Sequence, residues 1–329
     1  MALAHLLGER FEIEQQIRGG GMGEVFRGRD RVSGEVVAIK IIADDREHLT
    51  ARFEREVELL SELSHPGIVR YIAHGETAAG RLFLVMEWLD GEDLRRRLER
   101  EPLTIDESVR LATRVAGALG AVHARGIVHR DLKPSNLFLP GGQIDRVKVL
   151  DFGIALKGGR TQLTQTGATI GTPGYMAPEQ ARGNAPIDAR ADVFAFGCVL
   201  FQCLTGRPAF DGDSAVAILG QILFGEVPRV SALWPEVPED LDALVARMLA
   251  KDPALRPSDG GNLAAALTAL GPRAHSAAVA PPGLAVEPSS LTVGERRFLS
   301  VVLLGGDAEG RAPAEDELRA AIKPYGGRM

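Results

Sequence analysis

The chain has 329 residues, 45% hydrophobic and 25% charged, with 38 Lys and Arg against 44 Asp and Glu for a net charge of −6. This is ordinary globular composition with room for two domains, and it offers no basic excess to neutralise phosphates, which excludes nucleic acid as the main partner. No uninterrupted apolar run of about 18 residues occurs, so no membrane span is expected, and the opening MALAHLLGERFE has no basic stretch and reads as a mature start, not a signal peptide.

In chain order, the first ninety residues read mostly as strands. FEIEQQI, GEVFRGRD and GEVVAIKII are short, rich in β-branched residues and parted by glycine turns. The turn IRGGGMGEVF holds four glycines in five positions. Such a turn between strands lets backbone N–H groups approach phosphate oxygens, although a plain surface turn has the same composition. A helix pattern follows at residues 51–63, with Phe53, Val57 and Leu60 on one face, closed before Pro66. GIVRYIAHGE and RLFLVMEWL then read as two more strands.

After Leu89 the pattern turns helical. Thr104 and Glu107 form a capping-box signature ahead of Ile105, Val109, Ala112, Ala116 and Leu119 at helical spacing. ADVFAFGCVLFQCLTG is apolar nearly all round and predicts a buried helix, ended by Gly206 with Pro208 just beyond. Its two cysteines, Cys198 and Cys203, read as buried thiols in a reducing compartment and not as a disulfide or metal site. Leu241, Leu244, Val245, Met248 and Leu249 mark a further amphipathic helix before Pro253. Residues 271–290 are rich in Pro, Ala and Ser and read as a linker. From residue 291, RRFLSVVLL and PAEDELRAAI suggest the start of another domain, too short for a stable core of its own. The expectation is the front part of a longer protein.

Chemistry enters through ordered motifs. VAIK at residues 37–40, HRDLKPSN at 129–136 and DFG at 151–153 are followed by GTPGYMAPE at 171–179 and DVFAFG at 192–197. Together with the glycine turn, over about residues 8–270, this set resembles the eukaryotic-like (Hanks-type) serine/threonine protein kinases of bacteria. The resemblance implies an α+β bilobal fold over residues 1–270: a small β-rich lobe with one helix to about residue 89, then a larger helical lobe. It also implies ATP between the lobes, Mg²⁺ (or Mn²⁺) as the metal, protein Ser/Thr substrates, and a cytoplasmic signalling role.

The resemblance assigns roles residue by residue. Lys40 would contact the α- and β-phosphates and be fixed by Glu56, which best fits the family pattern F-x-R-E, with Glu54 and Glu58 as rivals. Asp131 would orient the substrate hydroxyl and accept its proton, and Lys133 would reach the γ-phosphate. Asn136 and Asp151 would hold the metal through oxygen. Adenine would lie between Ile17, Val25 and Ala38 above and Phe138 below, with Met86 as gatekeeper and the Glu87 and Leu89 backbone on its edge. Asp93 would bond the ribose. His129 is expected as a packed residue beside Leu60, Tyr71 and Phe152, and His65 and His123 as structural or surface residues.

The glycine pattern departs from the family at its first position, which is Arg18; Gly20 and Gly23 keep the two positions nearest the phosphates. The expected cost of Arg18 is backbone strain or altered loop mobility, with Gly19 and Gly21 compensating. Arg130 beside Asp131 points to activation by phosphate on the loop 151–179, at Thr164 and Thr166, through trans-autophosphorylation between associated copies. Thr172 resembles the family's structural threonine. Glu179 and Arg256 are expected to pair, and Asp192 to hold the catalytic-loop backbone. Two rivals stay open: a pseudokinase, supported by Arg18, and a nucleotide-cyclase-like domain after residue 291, from the faint resemblance of ERRFLSVVLL to the first strand of class III cyclases.

Overall fold

The computed structural model describes residues 6–7, 9–20, 23–42, 57–58, 61–152, 173–183 and 186–271. The chain divides after Leu284, and every described residue belongs to the first unit. Glu56, Leu60, Thr164, Thr166, Thr172, the linker and the stretch from residue 291 lie outside the described residues.

The N-terminal part is a sheet of six strands: β1 (Leu6–Leu7), β2 (Phe11–Gly20), β3 (Gly23–Asp30), β4 (Val36–Ile41), β5 (Tyr71–Glu76) and β6 (Leu82–Glu87). Their spatial order is β1-β2-β3-β4-β6-β5, all pairs antiparallel. The expected strand at residues 67–76 begins only at Tyr71; before it, Ile68 makes an isolated parallel bridge to Val149. Side chains alternate across a strand, and β4 shows the consequence: Val37, Ile39 and Ile41 are buried in a small cluster with Leu7, Phe11, Phe83 and Val85. Ala38 and Lys40 therefore share the opposite face.

The glycine turn has a structural reason at one position. Gly23 has φ of 120°, and a Cβ there would lie 2.2 Å from the Ile41 carbonyl oxygen. Only glycine fits. Gly23→Ala is expected to cost about 1–3 kcal/mol in backbone strain, a fall in Tm of about 2–4 °C for each kcal/mol. An unchanged melting curve would refute this reading of the turn.

The remaining described elements are mainly helical. A small sheet of β7 (Gly91–Asp93), β8 (Leu137–Pro140) and β9 (Lys148–Val149) lies among α1 (Leu94–Arg100), α2 (Ile105–His123), α3 (Pro178–Arg182), α4 (Ala189–Thr205), α5 (Ala215–Phe224), α6 (Val230–Leu233), α7 (Glu239–Met248) and α8 (Gly260–Ala269). The capping box forms as read: Thr104 Oγ1 accepts from Glu107 N, and Glu107 Oε2 accepts from Thr104 N. α4 is buried over nearly its whole length and ends at Gly206 in the left-handed region. Both cysteines on it are free and buried, and burial pushes their thiols well above the ordinary range.

Candidate functional site

Strand register assembles one wall of the site. Val25 lies opposite Lys40 across β3 and β4, and Ala38 lies opposite Met86 across β4 and β6. Directly paired residues share a face, so Val25, Ala38, Lys40 and Met86 line one surface, the one turned away from the small apolar cluster. Gly20 ends β2 opposite Gly23. Ile17 falls at a register irregularity between Gln16 and Arg18 and is half exposed.

The opposing wall starts at β7 and β8, where Asp93 pairs with Phe138. Asp93 is buried and caps α1, its Oδ1 accepting from Arg96 N at 2.9 Å. Leu89 is partly buried against the main core. Between the walls, Glu87 is locked by two bonds to Oε1, from Arg70 N at 2.8 Å and from Lys148 Nζ at 2.5 Å. Sequence reading missed this latch, since 61 residues separate the charged partners and no local pattern marks them.

Asp131, Lys133 and Asn136 converge on one short loop. Lys133 Nζ donates to Asp131 Oδ2 at 2.6 Å, and Asn136 Nδ2 donates to the Asp131 carbonyl at 2.8 Å. With its NH₂ committed inward, Asn136 keeps its amide oxygen for an oxygen-seeking cation. Asn136 O in turn accepts from Leu150 N at 2.8 Å, which brings the residue next to Asp151. Asp151 Oδ1 then accepts from Lys40 Nζ at 2.6 Å, 111 residues away. One carboxylate thus joins the β-sheet wall to the loop. The nearness of Asp151 also shows at Tyr71, whose phenol is pushed up by burial first and by that carboxylate second. Lys40 is held here by Asp151; Glu56, its expected partner, is outside the described residues.

The loop is built under strain and clamped. Arg130 and Asp151 are the non-glycine residues with positive φ among those described, at 67° and 51°, a conformation costing about 1–3 kcal/mol and concentrated at functional sites. Asp192, fully buried at the start of α4, supplies the clamp: its carboxylate accepts from His129 N at 2.6 Å, Arg130 N at 2.7 Å and His123 Nε2 at 2.9 Å. His129 is buried, its Nε2 bonded to Leu150 O and its ring centroid 4.9 Å from that of Phe152. It is a packing residue. His123 joins Asp192 to Gly260 N, and His65 Nδ1 accepts from Gly67 N. Gln180, also missed from sequence, braces the loop by donating to Arg130 O at 2.9 Å.

The Glu179–Arg256 pair forms with two bonds of 2.7 and 3.0 Å, both residues buried. Arg18 requires a correction. It sits in β2 opposite Val25 without positive φ, so the position does not need glycine and carries no backbone strain. Its guanidinium instead reaches Asp93, Nη2 to Oδ2 at 3.6 Å.

Comparison with known proteins identifies the family. The protein kinase domain model matches residues 11–269. The chain is 40% identical over 256 residues to a probable serine/threonine-protein kinase PknB of Lactococcus lactis, covering 76% of this chain and 40% of that protein. It is 38% identical over 273 residues to serine/threonine-protein kinase pkn3 of Myxococcus xanthus, covering 79% and 50%. It is 38% identical over 260 residues to PknH of Mycobacterium tuberculosis, covering 78% and 41%. The chain thus spans half or less of the length of these relatives. Among solved structures, Rad53 1-466 in complex with AMP-PNP superposes with a TM-score of 0.64 at 26% identity, over 77% of this chain and 63% of that one. The chain belongs to the protein kinase domain family, on its bacterial eukaryotic-like serine/threonine branch.

Proposed function

We propose that this chain transfers the γ-phosphoryl group of ATP to serine and threonine hydroxyls of proteins. The observation that carries the reading is the Lys40–Asp151 contact, tied through Leu150 and Asn136 to the loop of Asp131 and Lys133. Two cations and two carboxylates, drawn from distant parts of the chain, meet where a triphosphate and a hydroxyl can be brought into line. Val25, Ala38 and Met86 supply an apolar wall for a base; Phe138 would lie beneath the base, the Glu87 and Leu89 backbone would bond its edge, and Asp93 would offer a carboxylate to the ribose.

Asn136 and Asp151 suit Mg²⁺, a hard cation that takes two protein oxygens and completes its shell with water and phosphate. When bound, the ion neutralises charge on the phosphates. Lys40 then orients the α- and β-phosphates, and Lys133 the γ-phosphate. Asp131 positions the attacking hydroxyl and takes its proton late. Activation by phosphate on Thr164 and Thr166, between associated copies, is supported by Arg130, whose Nε is buried with no hydrogen-bond partner among the described residues. No described helix is long and apolar enough to cross a membrane, and dependence on ATP supports a cytoplasmic setting.

The test is transfer of labelled γ-phosphate from ATP with Mg²⁺ to the purified chain and to a generic protein acceptor, followed by phosphoamino-acid analysis. Label on phosphoserine and phosphothreonine is expected, at Thr164 and Thr166 in the chain itself. Nucleotide binding without any transfer would identify a pseudokinase instead.

A further inference from the structure

Arg18 occupies a position from which the nucleotide sugar can be sensed. The pairing irregularity around Ile17 sets Arg18 opposite Val25, so its side chain leaves β2 on the face that carries Val25 and Lys40. From there the guanidinium, 62% exposed, crosses to Asp93, whose side chain is 5% exposed, and approaches Oδ2 at 3.6 Å. The other oxygen of Asp93 is committed, since Oδ1 caps α1 through Arg96 N. Oδ2 is the oxygen left for a ligand, and Arg18 stands on it. A glycine at position 18 would leave that oxygen uncovered.

We propose that Arg18 is a specificity-determining residue for the nucleotide sugar: it straps β2 to Asp93 across the mouth of the pocket, and a ribose gains Asp93 Oδ2 only by displacing the guanidinium. This role rests on the ATP-binding reading of the cleft. A nucleotide carrying ribose hydroxyls competes with the strap, whereas one lacking both hydroxyls leaves it in place. Ion pairs open to water on one side are weak, and the competition should be worth about 1.5- to 5-fold in affinity.

The experiment is calorimetric titration of the 329-residue chain and its Arg18→Met variant with ATP and with 2′,3′-dideoxy-ATP, both with Mg²⁺. The ratio of the two dissociation constants is read within each protein, so a partly inactive preparation cancels. Arg18→Met is expected to bind ATP about 1.5- to 5-fold tighter and dideoxy-ATP unchanged, with the gain shrinking at high salt. Arg18→Gly should shift the ratio equally. A ratio unmoved by Arg18→Met, or moved by Arg18→Gly alone, overturns the strap while leaving ATP binding intact. A wild-type chain that binds neither nucleotide defeats the ATP reading and the strap with it.

Discussion

Asparagine in place of Asp131 should lower the rate of phosphoryl transfer by about 10²- to 10⁴-fold, the range in which a positioned acid or base contributes. The substitution keeps the shape and a polar oxygen but removes the negative charge that orients a hydroxyl and accepts its proton. Lys133 Nζ, now 2.6 Å from Asp131 Oδ2, loses its counter-charge and holds the γ-phosphate less well placed. The backbone scaffold survives, because Asn136 Nδ2 bonds the carbonyl of residue 131 and Asp192 grips the preceding two N–H groups. ATP affinity and Tm should therefore stay close to wild type while turnover collapses. Steady-state transfer assays with a thermal melt on the same preparation separate these effects. Turnover within tenfold of wild type would remove Asp131 from the chemistry.

Arg256→Ala should destabilise the fold by about 3–5 kcal/mol, the cost of leaving one member of a buried ion pair without its partner. The Arg256 side chain is fully buried and Glu179 nearly so. Besides its two bonds to Glu179, the guanidinium donates to the carbonyls of Ala250, Arg190 and Lys251 and lies 4.8 Å from the Phe194 ring centroid. Alanine strands all of these acceptors. With about 2–4 °C lost for each kcal/mol, Tm should fall by about 6–20 °C. Arg256→Lys should recover only part of the loss, since a single ammonium cannot reproduce a planar fork. Glu179→Gln combined with Arg256→Met should cost less than the two single changes added, because the removed groups share one interaction. A drop in Tm below about 2 °C for Arg256→Ala would mean that the pair is not a structural tie.

Arg256 also links stability to the site. Glu179 lies in the first turn of α3, beside Gln180, and Gln180 holds the carbonyl of Arg130. Loosening the ion pair should therefore reach the catalytic loop through one intervening residue. Asp192 works from the other side, gripping the same loop from the start of α4. Two buried carboxylates, Asp192 directly and Glu179 by way of its neighbour Gln180, thus support a loop whose Arg130 has left-handed backbone.

Local physics was legible in the amino-acid order. Thr104 and Glu107 close their capping box within four residues, Gly206 ends α4 as a left-handed cap, and alternation along β4 puts Ala38 and Lys40 on one face. Each follows from backbone geometry over a few residues, which periodicity and turn chemistry report directly. The motifs at Lys40, Asp131, Asn136 and Asp151 were readable because each is a short contiguous string. What periodicity and turn chemistry could not show was how distant strings meet: the Glu179–Arg256 pair and the Asp192 clamp were expected only through the family resemblance, and other long-range contacts not at all. The Lys148–Glu87 latch, the Gln180 brace and the reach of Arg18 to Asp93 join residues far apart in the chain. The Arg18 contact further depends on a pairing irregularity at Ile17 that turns its side chain toward the cleft. Register and long-range closure are settled by the packing of whole elements against each other, and a one-residue shift reverses the face a side chain presents; composition and spacing carry no record of that choice.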